Sequence, residues 1–169
     1  MTKLEINEAI IHVPEGVCRV TDLIERNISG IGTKKYYVLT PVYESGTKIY
    51  VPADLDSPKV RPVVGESEVF ELIDSLPSAE SVWLDNDKKR QESFTQILSR
   101  CDRREMICLL STLRQKSIEK KKLGKKFHSS DERVLRETQR ILFGEFGFIL
   151  GISPKEVPDF IENRLGKGA

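Results

Sequence analysis

The chain has 169 residues, which is enough for one ordinary domain or two small ones. Hydrophobic residues make up 38% and charged residues 31%, and no apolar run reaches the roughly 18 residues that a membrane span requires. The formal net charge is only +1, but residues 1–75 are net negative and residues 76–169 are net positive. The composition excludes an integral membrane protein and indicates two surfaces with different partners. Because the first residues include acids and form no basic-then-apolar leader, we expect a cytoplasmic protein.

Short strands are predicted in the first 64 residues. Apolar, β-branched or aromatic runs occupy residues 9–13, 17–24, 35–39, 48–51 and 60–64. Turn residues separate them, and Pro62 restricts the last run to the edge of a sheet or to an irregular pairing. Five short strands with turns every 8–12 residues or so predict a small β-barrel or sandwich.

Beyond Gly65 the apolar residues recur with the period of an α-helix. Pro77 ends the first predicted helix, and N-cap signals begin three of the later ones: Asp102 with Glu105, Ser129 with Glu132, and Ser153 with Glu156. Strands therefore come first and helices second. This order predicts two domains or an α+β fold, with a small barrel or sandwich over residues 1–64 and an all-helical domain of about five helices over residues 65–169.

Catalytic and metal-binding patterns are missing from the sequence. Residues 30–34 lack the spacing of a phosphate-binding loop, and residues 128–131 fit a helix cap better than a catalytic triad. The three cysteines include no CxxC pair, and the two histidines are far apart. We therefore expect no enzyme, and neither a metal, a cofactor nor a small-molecule substrate.

The tryptophan and the basic residues that follow it are the best candidates for a binding site. Trp83 precedes Lys88, Lys89 and Arg90, and cations of this kind gain affinity for nucleic acid by releasing counterions. An aromatic beside them can wedge into a minor groove or stack on a base. The alternatives are that Trp83 packs in a core or between domains, and that lysines form a solvated helix face.

Adjacent tyrosines on one predicted strand offer a second candidate surface. Tyr36 and Tyr37 face opposite sides of any strand that they share, so one is expected in the core and the other on the surface. Tyrosine and arginine on an exposed strand are typical of protein interfaces.

The order of these motifs resembles the CarD family of bacterial transcription regulators, which shares its N-terminal module with the transcription-repair coupling factor. The N-terminal motifs that carry the resemblance are Ile10-Ile11-His12-Val13-Pro14-Glu15-Gly16-Val17, Leu23-Ile24-Glu25, Tyr36-Tyr37-Val38-Leu39, Val51-Pro52 and Arg61-Pro62-Val63-Val64. The C-terminal ones are Trp83 with the basic residues after it, Leu98-Ser99-Arg100-Cys101-Asp102, and Leu142-Phe143-Gly144-Glu145. In the second of these, Arg100-Cys101 stands where the family has glycine.

The resemblance implies a Tudor/SH3-like barrel that binds the β subunit of RNA polymerase. The polymerase-binding residues that it predicts are Arg26, Tyr37, Tyr50 and Val51. It further implies that the helical domain contacts promoter DNA at the upstream edge of the bubble, largely independently of sequence, and stabilises the open complex. The DNA-binding residues that it predicts are Trp83, Lys88, Lys89, Arg90 and Arg133. Such a protein would associate with the nucleoid; the alternative is a protein–protein adaptor that uses the barrel without DNA.

Overall fold

The computed structural model describes residues 3–54 and 57–166 of the chain. The chain divides into two compact units, Met1–Val63 and Val64–Ala169. All strands precede all helices, and the described part contains five α-helices, so the predicted α+β fold class is confirmed. No helix within the described ranges is long and apolar enough to cross a membrane.

The N-terminal unit is an antiparallel sheet of five strands in the order β4-β3-β2-β1-β5. The strands are β1 Ala9–His12, β2 Gly16–Ile28, β3 Gly32–Pro41, β4 Ile49–Pro52 and β5 Val60–Pro62. A register shift between Val20 and Asp22 bends β2 against β3, since a bulge increases the local twist. Within the described residues β4 and β5 do not pair with each other, so each is an edge of the sheet. The predicted edge position of the Pro62 strand is therefore confirmed.

Inward-facing side chains from β1, β2, β3 and β4 form the core of this unit. The core residues are Ile10, Cys18, Val20, Tyr37, Leu39 and Val51. Tyr37 is buried and Tyr36 is half-buried, so the two tyrosines divide between interior and surface as their alternation predicts.

Cys18 lies at the centre of that core and is fully buried. Burial raises the pKa of the Cys18 thiol to about 11, and the negative charge of Glu15 acts in the same direction. Because only the thiolate reacts, we predict that Cys18 is modified at pH 8 about a hundredfold more slowly in the folded protein than in urea. Mass mapping of alkylated peptides with and without urea checks this, and equal rates in both conditions would contradict it.

In the part of the chain that the structure describes, the C-terminal unit contains five α-helices. They are α1 Glu66–Asp74, α2 Asp87–Arg100, α3 Arg103–Lys122, α4 Ser129–Leu150 and α5 Val157–Gly166. Apolar residues of every helix are buried between them, and the largest fully buried apolar side chains include Phe94, Met106, Leu110 and Phe146. Helix α5 follows a 3-10 turn that begins at Pro154.

Two of the three predicted N-caps are present in the structure. Asp102 accepts a hydrogen bond from the backbone N–H of Glu105 at 3.0 Å, and Ser153 forms a complete capping box with Glu156. The third prediction is wrong by one residue, because Ser129 is already the first residue of α4. The extended backbone of His128 occupies the N-cap, and it makes no side-chain cap hydrogen bond.

The corner between α2 and α3 keeps its shape without a glycine. Cys101 adopts a left-handed conformation with φ 53° and ψ 34°, and its N–H donates to the carbonyl of Ile97 at 2.9 Å. A left-handed residue at this position is the usual way to end a helix. Cys101 thus occupies the conformation that a glycine would hold, and Asp102 immediately begins the next helix.

Candidate functional site

The free edge of β4 is the first candidate site. The N–H of Ala53 donates to the carbonyl of Lys35 at 2.9 Å, which fixes the phase of the antiparallel ladder between β3 and β4. Residues of such a ladder alternate between pairs that bond each other and pairs whose N–H and C=O groups point away. Val51 therefore bonds to β3, whereas the N–H and C=O of Tyr50 point outward. This edge can accept another strand opposite Tyr50.

The other edge of the sheet offers less for a second strand to bind. The N–H of Val13 donates to the carbonyl of Lys59 at 2.8 Å, and the same alternation points the nitrogens of Val60 and Pro62 outward. Proline has no N–H, and that of Val60 already donates to the carbonyl of Ser57 at 3.1 Å. Strand β5 therefore presents no unused outward N–H between Val60 and Pro62.

Two of the four predicted polymerase-binding side chains meet on the exposed surface beside β4. Tyr50 is 45% exposed, and the guanidinium of Arg26 lies 5.2 Å from the centre of its ring. Tyr37 and Val51 are opposite each other in the register of β3 and β4, and both are buried in the core. Tyr50 and Arg26 therefore lie on the surface, where a partner can contact them. Tyr37 and Val51 instead pack in the core and hold β4 against β3.

Trp83 is the centre of a second candidate site, in the segment between α1 and α2. Its side chain is half-buried and packs at a tilt against Phe94, with ring centres 6.4 Å apart. The guanidinium of Arg90 lies 4.2 Å from the centre of the indole ring, and the ammonium of Lys116 lies 5.1 Å away. The indole Nε1–H donates to Asp85 at 3.2 Å. Trp83 is therefore neither a core residue nor a freely exposed one.

Arg90 is buried beneath this tryptophan, with 2% of its side chain exposed. Its Nε and Nη2 each donate to the fully buried carboxylate of Asp131 at 3.0 Å, and Nη2 also lies 2.8 Å from Asp87. Burial alone would lower the pKa of Arg90, but the hydrogen bonds and charges of Asp131 and Asp87 raise it on balance. Arg90 consequently remains charged inside the helical unit.

The N-terminal sheet is recognised by comparison with known proteins. Residues 4–64 match the family model of the CarD-like/TRCF RID domain. The N-terminal unit is a CarD-like/TRCF RID domain. Such domains interact with the β subunit of RNA polymerase, so the RID domain gives this chain a transcription-related protein-interaction role. No curated protein matches the chain at a significant level.

The predicted DNA-binding residues differ in their surroundings. Lys88 and Lys89 are exposed on the first turn of α2, five and six residues after Trp83 and next to the exposed Asp87. Arg133 is exposed on α4, whereas Asp131, two residues earlier, is buried. The difference arises because residues two apart on a helix face different directions. Arg90 is enclosed by protein, so its surroundings favour a role in holding Trp83 over a direct contact with phosphate.

Lys116 and Lys120 also belong to the surroundings of Trp83, although neither is among the predicted DNA-binding residues. They lie four and eight residues after Thr112 on α3, a spacing that places all three on one face. Thr112 accepts a hydrogen bond from the N–H of Val82 at 3.0 Å, and Lys116 approaches the indole. The pKa of Asp87 is lowered mainly by its hydrogen bond from Arg90 and the charge of Arg90, and Lys120 acts in the same direction.

Carboxylates also belong to the surroundings of Trp83 and Arg90. Asp85 bonds the indole, and Asp87 is exposed at the start of α2. Within residues 3–54 and 57–166, no group of three or more His, Cys, Asp or Glu side chains could hold a metal ion. The site therefore presents an aromatic ring with cations and carboxylates around it, an arrangement that suits the binding of a partner molecule.

Proposed function

We propose that the protein is a transcription regulator that binds the β subunit of RNA polymerase and contacts promoter DNA at the upstream edge of the bubble. The observation that carries the proposal is the RID domain at residues 4–64. The DNA contact would be largely independent of sequence and would stabilise the open complex. A protein with these partners would act in the cytoplasm, at the nucleoid.

The RID domain would bind polymerase by adding a polymerase strand to the free edge of β4. Main-chain hydrogen bonds supply affinity in this mode, and side chains beside the edge supply specificity. The outward N–H and C=O of Tyr50 would pair with the incoming strand, while its ring and Arg26 would contact side chains of the partner. Tyr37 and Val51 would act by holding β4 against β3.

The helical unit would contribute Trp83 as a wedge at the distorted minor groove. An inserted side chain of this kind stabilises an unstacked step and hinders closure of the bubble. Lys88, Lys89 and Arg133 are exposed and would hold phosphates, which positions the protein without reading sequence. Regulation would follow from higher affinity for the open promoter complex than for the closed one.

Trp83→Ala should shorten the lifetime of the open complex and leave polymerase binding unchanged. Stacking of a base on an aromatic side chain contributes about 1–3 kcal/mol, so we expect a loss of fivefold or more in the added lifetime. The measurement is open-complex decay after a heparin challenge on a promoter that forms unstable open complexes. Trp83→Phe keeps an aromatic ring in the same place and should retain most of the effect.

An unchanged lifetime for folded Trp83→Ala, with polymerase binding intact, would contradict the wedge. It would favour the second candidate function, a protein–protein adaptor without DNA contact. The carboxylates of Asp85 and Asp87 support that candidate, because they would repel phosphate beside Trp83. The adaptor predicts that neutralising Lys88 and Lys89 to glutamine changes nothing, whereas the regulator predicts weaker DNA binding and a smaller salt dependence.

A further inference from the structure

A buried ion pair lies directly behind the indole of Trp83. Arg90 and Asp131 are both nearly inaccessible, with side-chain exposures of 2% and 0%. They come from α2 and α4, and they meet through two parallel hydrogen bonds. Gln91 also donates to Asp131, at 2.7 Å, so the carboxylate is held by two successive residues of α2.

The same guanidinium contacts the tryptophan segment in two ways. It covers the indole ring at 4.2 Å, and its Nη1 donates to the carbonyl of Leu84 at 3.0 Å. On the other side of Trp83, the N–H of Val82 donates to Thr112 of α3 at 3.0 Å. The residues before and after Trp83 are therefore attached to two different helices.

We propose that Arg90 is a positioning residue for Trp83, fixed in turn by its ion pair with Asp131. The consequence for DNA rests on the proposed function, but the positioning itself is a property of the free protein. Arg90 never needs to touch DNA in this role. It sets the plane and the exposure of the indole that would enter the groove.

The energetics of buried ion pairs support a geometric role. The cost of removing both charges from water largely offsets their attraction, so such a pair adds little net stability compared with apolar packing. A guanidinium has a planar surface and a fixed fork of donors, which lets it bind a carboxylate and cover an aromatic face together. An ammonium can keep the charge but cannot do both.

The experiment uses the intrinsic fluorescence of the full-length protein, because Trp83 is its only tryptophan. Arg90→Lys keeps a positive charge opposite Asp131 and so preserves folding, but it loses the planar cover. We expect acrylamide quenching of Trp83 to rise about twofold and its fluorescence anisotropy to fall. A second variant, Arg90→Gln with Asp131→Asn, removes both charges together and should give the same changes.

Gln91→Ala is the matched control. It removes a hydrogen bond to the same carboxylate without touching the indole, so quenching and anisotropy should stay at wild-type values. All variants are compared below their own melting temperatures. Wild-type quenching and anisotropy in folded Arg90→Lys, or equal changes in Gln91→Ala, would overturn the proposal.

Failure of the proposed function would leave a different signature. If Trp83 does not contact DNA, the fluorescence changes in Arg90→Lys persist while open-complex lifetime is the same for wild type and Trp83→Ala. If both proposals hold, Arg90→Lys shortens the lifetime by less than Trp83→Ala does. If Arg90→Lys shortens the open-complex lifetime without changing Trp83 fluorescence, the positioning role is contradicted and the proposed function is not.

Discussion

Replacing Glu145 with alanine should lower the free energy of unfolding of the helical unit by about 3 kcal/mol, because the Arg103 guanidinium loses the buried carboxylate that it pairs with. The Glu145 carboxylate accepts from Arg103 Nε and Nη2 at 2.8 and 2.7 Å, and from the backbone N–H of Val64 at 3.3 Å. One side chain of α4 thus joins the start of α3 to the first residue of the unit. Burial alone would lower the pKa of Arg103, and Glu145 raises it on balance.

Urea unfolding followed by circular dichroism measures this loss. Glu137→Ala is a control on the same helix, since Glu137 also makes a two-pronged pair, with Arg140, but both side chains are 39% exposed. An exposed pair contributes about 0–1 kcal/mol, so the control should unfold near the wild-type midpoint. Equal destabilisation by the two substitutions would contradict the view that burial makes Glu145 important.

Local patterns predicted those parts of the fold that depend on neighbouring residues. The strands follow from β-branched and aromatic runs, and the starts of α3 and the last helical segment follow from Asp102 and Ser153. The prediction of Ser129 as an N-cap rested on the capping chemistry of serine. In the structure Ser129 is already helical, and His128 is the N-cap. The side chain with the best capping chemistry does not by itself fix the first residue of a helix.

Arg90 shows why the site was harder to predict than the fold. In the sequence it reads as one of three consecutive cations, yet Arg90, Phe94 and Ile97 have the spacing of one helical face, and all three are buried. That spacing could have separated Arg90 from Lys88 and Lys89. Its partner Asp131 is 41 residues away, so no local sequence pattern could predict the pair. Lys116 was missed because its place beside Trp83 depends on packing between α3 and the segment before α2.

Tyr50→Pro should weaken polymerase binding by about a hundredfold, through loss of an interface aromatic and of a main-chain donor. Proline removes the outward N–H that would donate to a carbonyl of the added strand. Val51, the following residue, keeps its hydrogen bonds to β3. Edge strands tolerate proline at outward positions, and Pro52 already occupies the next one along β4. The folded RID domain should therefore survive the substitution.

Tyr50→Ala separates the two contributions. It removes the ring and its contact with Arg26 but keeps the N–H, so Tyr50→Pro should bind about five- to tenfold more weakly than Tyr50→Ala. Titration of the polymerase β subunit by full-length variants, with melting curves to verify folding, provides the comparison. Equal affinities for the two variants would mean that side chains alone carry binding and that no strand is added at β4. Strand β5 could not take over the role of β4, because its outward nitrogens are a proline and an N–H already bonded to Ser57.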